Sequence, residues 1–243
     1  TGADARQEEG FLRNAIACGA LLTAGRHLVR GDASQPGQPM EFFVNCATAA
    51  TSFTCFYLLL CGVGVGRAYD DALCLVDWRR APRLFFTLAP DHADFTAASS
   101  AQRAALSEAA PEDAQRFVIP DSREGWAEAL EILEAMAHAG QADQALVLDF
   151  SAIRPSGQPI RGLGGRPAPG PLPLLDAFFT LRAGVIASPD AMPRWEQALH
   201  VDDIMAQAVI YGGLRRAARM AAKTWRDADA PRFAAGLDLP GHA

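Results

Sequence analysis

Apolar residues at Phe11, Leu12, Ile16, Leu21 and Leu22 recur among polar ones at helical spacing and predict a helix over 7–22. Residues 23–32, with Gly25 and Gly31, read as a loop. The short, mostly apolar run 40–44 ends in Asn45-Cys46 and predicts a strand. Residues 47–61 are apolar nearly all round, the pattern of a buried helix, and end at glycines as helices often do. Two runs of strand character follow, 72–78 and 83–88, with Arg79-Arg80-Ala81-Pro82 between them suiting a hairpin turn. The polar, alanine-rich stretch 89–115 predicts weak structure or a surface excursion.

The clearest pattern lies further on. Residues 116–119 read as a strand, and Pro120-Asp121 then opens a helix. Asp121 suits its N-cap, and Glu124 stands three residues later, the spacing of a capping box. Trp126, Leu130, Ile132, Leu133 and Met136 form its apolar stripe, and Gly140 closes it. Residues 145–150 are apolar without alternation, as in a strand buried on both faces. Strand, helix and strand in succession predict a βαβ unit with a parallel pair. A proline- and glycine-rich loop covers 154–173. Helices are predicted over 174–186 and 199–210, then a Gly-Gly-Leu-Arg-Arg turn and a further helix to about Trp225. With no repeat and no dividing linker, the chain reads as a single α/β domain over 1–243. Residues 228–243 lose the periodicity and read as a disordered or non-native tail.

Composition narrows the function classes. The net charge of −6 gives no global attraction for nucleic acid or an anionic membrane, so an anionic ligand must be held locally. No apolar run is long enough to cross a bilayer and no secretory signal opens the chain, which makes the cytoplasm the expected compartment. Five cysteines without paired spacing argue against a disulfide scaffold, and no Cys or His pair has metal-ligand spacing. The first residue is Thr1 rather than Met, and the chain reads as a fragment of a longer one.

Candidate chemistry gathers around Asn45-Cys46 and the turn Cys61-Gly62-Val63-Gly64-Val65-Gly66-Arg67. The glycines look like a dinucleotide fingerprint, but Arg67 stands at the third glycine position. Two readings stay open: a helix C-cap with a tight turn, or a loop whose backbone N–H groups approach phosphate or ribose. Cys46 is either a small buried hydrophobe or a redox thiol beside that loop. Cys18, Cys55, Cys61 and Cys74 read as core. Arg215, Arg219 and Lys223 are spaced by four and share a helix face, with Arg216 and Arg226 nearby. They form a solvated basic face or, beside Gly212-Gly213, a bidentate phosphate contact. Residues 161–170 are a surface loop or a binding loop. The five histidines fit no nucleophile motif, and hydrolase triads gain no support.

Taken in order, these segments resemble one family. They are Ala24-Gly25-Arg26-His27-Leu28, Asn45-Cys46, Gly64-Val65-Gly66 and Pro120-Asp121-Ser122-Arg123-Glu124-Gly125-Trp126. Leu148-Asp149-Phe150-Ser151-Ala152-Ile153-Arg154-Pro155 with Gly157, Gly170-Pro171-Leu172-Pro173-Leu174 and Gly213-Leu214-Arg215-Arg216-Ala217-Ala218 complete the series. The chain resembles the class II, adenosylcobalamin-dependent ribonucleotide reductases, especially the monomeric ribonucleoside-triphosphate type. The two segments starting at Pro120 and Leu148 are the most specific and the glycine turns the least.

The resemblance implies the first half of a ten-stranded α/β barrel whose other half carries a radical cysteine on a finger loop. It implies reduction of the ribose 2′-hydroxyl by thiyl-radical chemistry, with adenosylcobalamin as cofactor, a ribonucleotide substrate, a deoxynucleotide effector and a thioredoxin-like reductant. Cys46 resembles one member of the reducing cysteine pair. Asn45, Gly64 and Gly66 resemble residues beside the substrate ribose. Arg161, Gly213, Arg215 and Arg216 resemble the effector and specificity loops. The finger motif Asn-x-Cys-x-Glu has no counterpart, and no Cys follows Cys74, so the chain is expected to be inactive alone. A non-catalytic nucleotide-binding or assembly fragment is the alternative. An unrelated α/β oxidoreductase is disfavoured by the failed fingerprint.

Overall fold

Parallel strand pairing organises the chain in this computed structural model, which describes residues 2–21, 44–160, 165–188, 192–209 and 217–236. Two compact units separate, Thr1–Asn45 and Cys46–Ala243. In the first, helix α1 (Gly2–Ala17) starts earlier than the apolar spacing predicts, and Phe11, Leu12 and Ile16 of its stripe are exposed. No helix among the described residues is long and apolar enough to cross a membrane.

Among the described residues, the second unit holds two three-stranded parallel sheets. One runs in the order β1 (Cys46–Thr48), β2 (Gly64–Ala68), β8 (Arg219–Ala222). The other runs β3 (Arg83–Thr87), β5 (Ala145–Asp149), β4 (Gln115–Val118). The predicted βαβ unit is β4, α4 (Arg123–Ala139) and β5, with β5 central and buried on both faces. The mixed α/β class with parallel sheets is therefore observed.

Helix α4 illustrates how local chemistry sets boundaries. Ser122, not Asp121, is its N-cap and accepts from the Gly125 N–H at 2.9 Å. Asp121 turns instead to Arg154, at 2.5 Å. A Cβ on Gly125 would lie 2.7 Å from Pro120 atoms, so the tight entry needs glycine. Gly140 ends the helix in the left-handed region at φ 74°, and a Cβ there would also collide with the Arg80 guanidinium. Ser122→Ala is expected to cost about 1 kcal/mol of stability, the usual value of a lost side-chain N-cap. Urea denaturation checks this; an unchanged midpoint would mean that solvent caps the helix equally well.

Several expectations are corrected. Residues 47–51 are not helical: Cys46–Thr48 pairs with β2, Thr51 is an extended N-cap, and α2 is Ser52–Leu60. Residues 72–78 are turns leading to a tight helical turn at Trp78–Arg80, and β3 pairs in parallel with β5, which a hairpin cannot do. The stretch 89–115 contains α3 (Ser100–Leu106), opened by a Ser99/Gln102 capping box. The 154–173 loop includes a short antiparallel pair, β6 (Pro159–Ile160) with β7 (Arg166–Pro167). Helices α5 (Leu172–Leu181), continued by a wider turn at Arg182–Ile186, and α6 (Arg194–Gln207) lie near their predicted places. The last predicted helix is instead strand β8. Within the expected tail, Ala230–Gly236 forms helix α7 and buries Phe233 beside Tyr69 and Trp195. Residues 237–243 lie outside the described residues.

Candidate functional site

Side chains alternate across the β1-β2-β8 sheet and give it two unlike faces. One face is filled by Val65, Arg67 and Tyr69, all buried. The other carries Cys46 and Thr48 on β1, Gly64, Gly66 and Ala68 on β2, and Met220 and Ala222 on β8. Cys46, Thr48, Met220 and Ala222 are exposed there. Parallel strands are normally covered on both faces, so this open face is unusual.

The register sets the chemistry of that face. Cys46 pairs directly with Gly64, and Thr48 with Gly66. The thiol thus stands beside a strip of backbone with no side chains, which a ligand can approach closely. Met220 lies over Gly66: a Cβ on Gly66 would meet its Cε at 3.7 Å. Gly64 and Gly66 are therefore strand residues, not a turn. The turn belongs to Gly62 alone, at φ 79°, where it closes α2.

The cysteines divide sharply. Cys55, Cys61 and Cys74 are buried, while Cys46 and, in the first unit, Cys18 are exposed free thiols. Burial pushes the Cys55 thiol up to about 12 and the Cys74 thiol up to about 11, with Asp202 adding to both. Both stay protonated and inert. The core reading of Cys46 and of Cys18 is overturned, as is the strand placement of Cys74. An exposed thiol at a strand start can meet a second thiol at disulfide distance without moving the sheet.

Behind the glycine strip lies a set of buried charges that sequence reasoning missed. Arg67 Nη1 donates to both Asp202 carboxylate oxygens, at 2.9 and 2.8 Å, and to Ser52 Oγ at 2.8 Å. The Tyr69 hydroxyl donates to Asp202 at 2.6 Å and accepts from Arg219 at 2.7 Å. Arg219 also pairs with Asp203 at 3.1 Å. Glu134 of α4 accepts from the Ser52 and Phe53 N–H groups at the start of α2, both at 2.9 Å. Burial holds the Glu134 carboxyl above its ordinary range, opposed by those two N–H groups. Burial and the Asp202 carboxylate push the Tyr69 hydroxyl far up, so it remains a donor. The signal for Glu134 was present: it sits four residues after Leu130, on the apolar face of α4.

The predicted basic helix face is also corrected. Arg219 and Lys223 both point inward from β8 and its extension, since a strand also returns to the same face after four residues. Lys223 donates to the Tyr69 carbonyl at 2.9 Å and pairs with Asp227 at 3.0 Å. Arg161, Gly213, Arg215 and Arg216 lie outside the described residues. Asn45 is exposed at the chain position before Cys46.

His200 on α6 is half-buried, and burial holds its imidazole below the ordinary value of 6.5, against the pull of Glu196 and Asp203. The unfolded chain then binds the proton more readily than the folded one. Stability is full above the ordinary imidazole value and falls as pH drops through it toward the lowered folded value. His200→Asn is expected to flatten this acid sensitivity, read as urea midpoints at pH 7.5 and about 5.5, a window either side of the imidazole range. Equal pH dependence in both proteins would remove His200 from the account.

A family model described as "B12-dependent ribonucleotide reductase, insertion domain" matches residues 88–184, which contain α3, the βαβ unit and all of α5. A crystal structure of a B12-dependent (class II) ribonucleotide reductase superposes with a TM-score of 0.60 at 26% identity, covering 77% of this chain and 26% of that one. The chain is a relative of the B12-dependent, class II ribonucleotide reductases. Among curated proteins it is 32% identical over 228 residues to an adenosylcobalamin-dependent ribonucleoside-triphosphate reductase from Mycobacterium phage D29. That match covers 85% of this chain and 32% of the phage protein. A Lactobacillus helveticus protein of the same name is 35% identical over 108 residues, 43% of this chain and 14% of its own length. The chain thus spans about a third of the phage relative it matches.

Proposed function

We propose that this chain is part of an adenosylcobalamin-dependent ribonucleoside-triphosphate reductase, converting ribonucleotides to deoxyribonucleotides, and supplies one half of its barrel. The open sheet face is the side that receives the ribose. Gly64 and Gly66 let the sugar approach the backbone, Asn45 contacts substrate, and Cys46 is one of two electron-donor thiols. In the net reaction the 2′-hydroxyl leaves as water and C2′ gains hydrogen. Two cysteine thiols give up two electrons and two protons and become a disulfide, which an external dithiol such as a thioredoxin-like protein reduces again. Arg161, Gly213, Arg215 and Arg216 belong to the loops that read a deoxynucleotide effector.

The observation that carries this reading is the pairing of an exposed Cys46 with Gly64, on a sheet face otherwise open. Adenosylcobalamin supplies the radical when bound. Among the described residues, one cavity, lined by Leu59, Asp203, Ala206, Val209, Ala217, Ala218 and Arg219, measures about 280 Å³, below the range of drug-sized sites and too small for a corrin.

In a reductase containing this chain, Cys46→Ser is expected to abolish multiple turnover with a dithiol reductant. Continuous deoxynucleotide formation measures it, and turnover at the parent rate would overturn the assignment of Cys46. Calorimetry of this chain with deoxynucleoside triphosphates tests the effector loops; heat at parent level after Arg215→Ala and Arg216→Ala would count against them.

A further inference from the structure

Directly behind the glycine strip, one guanidinium ties together the elements on either side of the Cys46 strand. We propose that Arg67 is a positioning residue for Cys46: through Ser52 and Asp202 it locks the start of α2 and strand β2 to α6, and so sets where β1 holds the thiol. Arg67 follows Gly66 on β2, so the backbone that is bare on one face drives a charge into the interior on the other.

The linkage is continuous. Arg67 Nη1 bonds Ser52 Oγ of α2 and both carboxylate oxygens of Asp202 on α6. Ser52 and Phe53 are held in turn by Glu134 of α4. Strand β1 ends at Thr48, so a short link joins it to this anchored helix start. On its other side β1 is paired to β2, the strand that carries Arg67, and the Ala49 N–H donates to the Gly66 carbonyl at 3.0 Å. Both neighbours of β1 are thus fixed by the same side chain.

Stability alone accounts poorly for the arrangement. The Arg67 and Asp202 side chains are 4% and 0% exposed. A single nitrogen makes all the bonds named above, and Arg67 Nε is buried with no hydrogen-bond partner among the described residues. So enclosed and so incompletely bonded a pair carries a desolvation cost that its attraction offsets only in part. What it supplies is a fixed geometry.

The meaning of this inference rests on the reading of Cys46 as a donor, but its test does not. Three versions of the 243-residue chain are compared in a Cys18→Ser background: the parent, Ser52→Ala, and the double variant Arg67→Met/Asp202→Leu. Apolar replacement of both charges keeps the core filled, and the double variant is expected to fold with near-parental Tm. Hydrogen exchange should then show at least about tenfold less protection at the Ala49 amide, with β4 and β5 amides unchanged, a local rather than global opening. Labelling of the Cys46 thiol by a neutral disulfide reagent should change at least about threefold, following its access. Ser52→Ala should move both readings the same way by less. Parental protection at Ala49 and parental labelling in the folded double variant would overturn the proposal. Should the double variant not fold, parental values in Ser52→Ala overturn it instead. A negative turnover result for Cys46 would leave all of these readings untouched.

Discussion

Asp202→Ala is expected to lower the unfolding free energy by about 3–5 kcal/mol, the usual penalty for removing one partner of a buried ion pair. The carboxylate accepts from Arg67 and from the Tyr69 hydroxyl, and its side chain is fully buried. Alanine would strand a guanidinium and a phenol without their acceptor, in a site from which Asp203 already serves Arg219. Removing both charges is a different perturbation, because nothing charged is then left unpaired. Urea denaturation of the single variant against Arg67→Met/Asp202→Leu separates the two cases. A loss below about 1 kcal/mol for Asp202→Ala would mean that water enters and solvates Arg67, the behaviour of a surface pair.

Phe150→Ala should be comparably severe, about 3–5 kcal/mol, the range for deleting a buried aromatic ring. Phe150 is fully buried and follows β5 directly. Its ring lies between Phe86 of β3, at 6.2 Å between centroids, and Phe178 of α5, at 6.3 Å. Its N–H donates to the Thr87 carbonyl at 2.8 Å, which pins the backbone and prevents the neighbours from closing over the void. The same layer carries Arg182, whose guanidinium stacks over Phe86 at 5.0 Å and over Phe179 at 5.5 Å. A thermal scan should show one cooperative transition at markedly lower temperature. A shift of a degree or two would mean that the layer repacks.

The βαβ unit was legible because its signals are local. Gly140 closes α4, the sequence places its start within one residue of the true cap Ser122, its apolar stripe repeats, and β5 is apolar without alternation. The Ser99/Gln102 capping box was equally local and was overlooked because alanine-rich sequence surrounds it. The segments 47–51 and 219–222 were misread for the opposite reason. Ala47 and Thr48, like Met220 and Ala221, carry no periodicity over so short a span, and strands of three or four residues exist through their partners. The same holds for Gly64 and Gly66, whose lack of side chains looks alike in a turn and in a strand. Arg67, Asp202 and Glu134 were individually visible, but a charged residue in an apolar pattern announces burial without saying what it pairs with.

By itself the sequence determined the α/β class, the parallel pair around α4 and the resemblance to class II reductases, and it singled out Cys46 and the glycines as candidates. These follow from neighbours a few residues apart, or from the order of segments along the chain. Only the tertiary structure decided that Cys46 is exposed, that it faces Gly64 across a parallel ladder, and that Arg67 reaches α6 behind it. Those depend on residues between 15 and 135 positions apart, as Arg67 with Ser52 and with Asp202, and no local rule encodes such a pairing. It arises because desolvated charges must find partners wherever the packed chain brings them together.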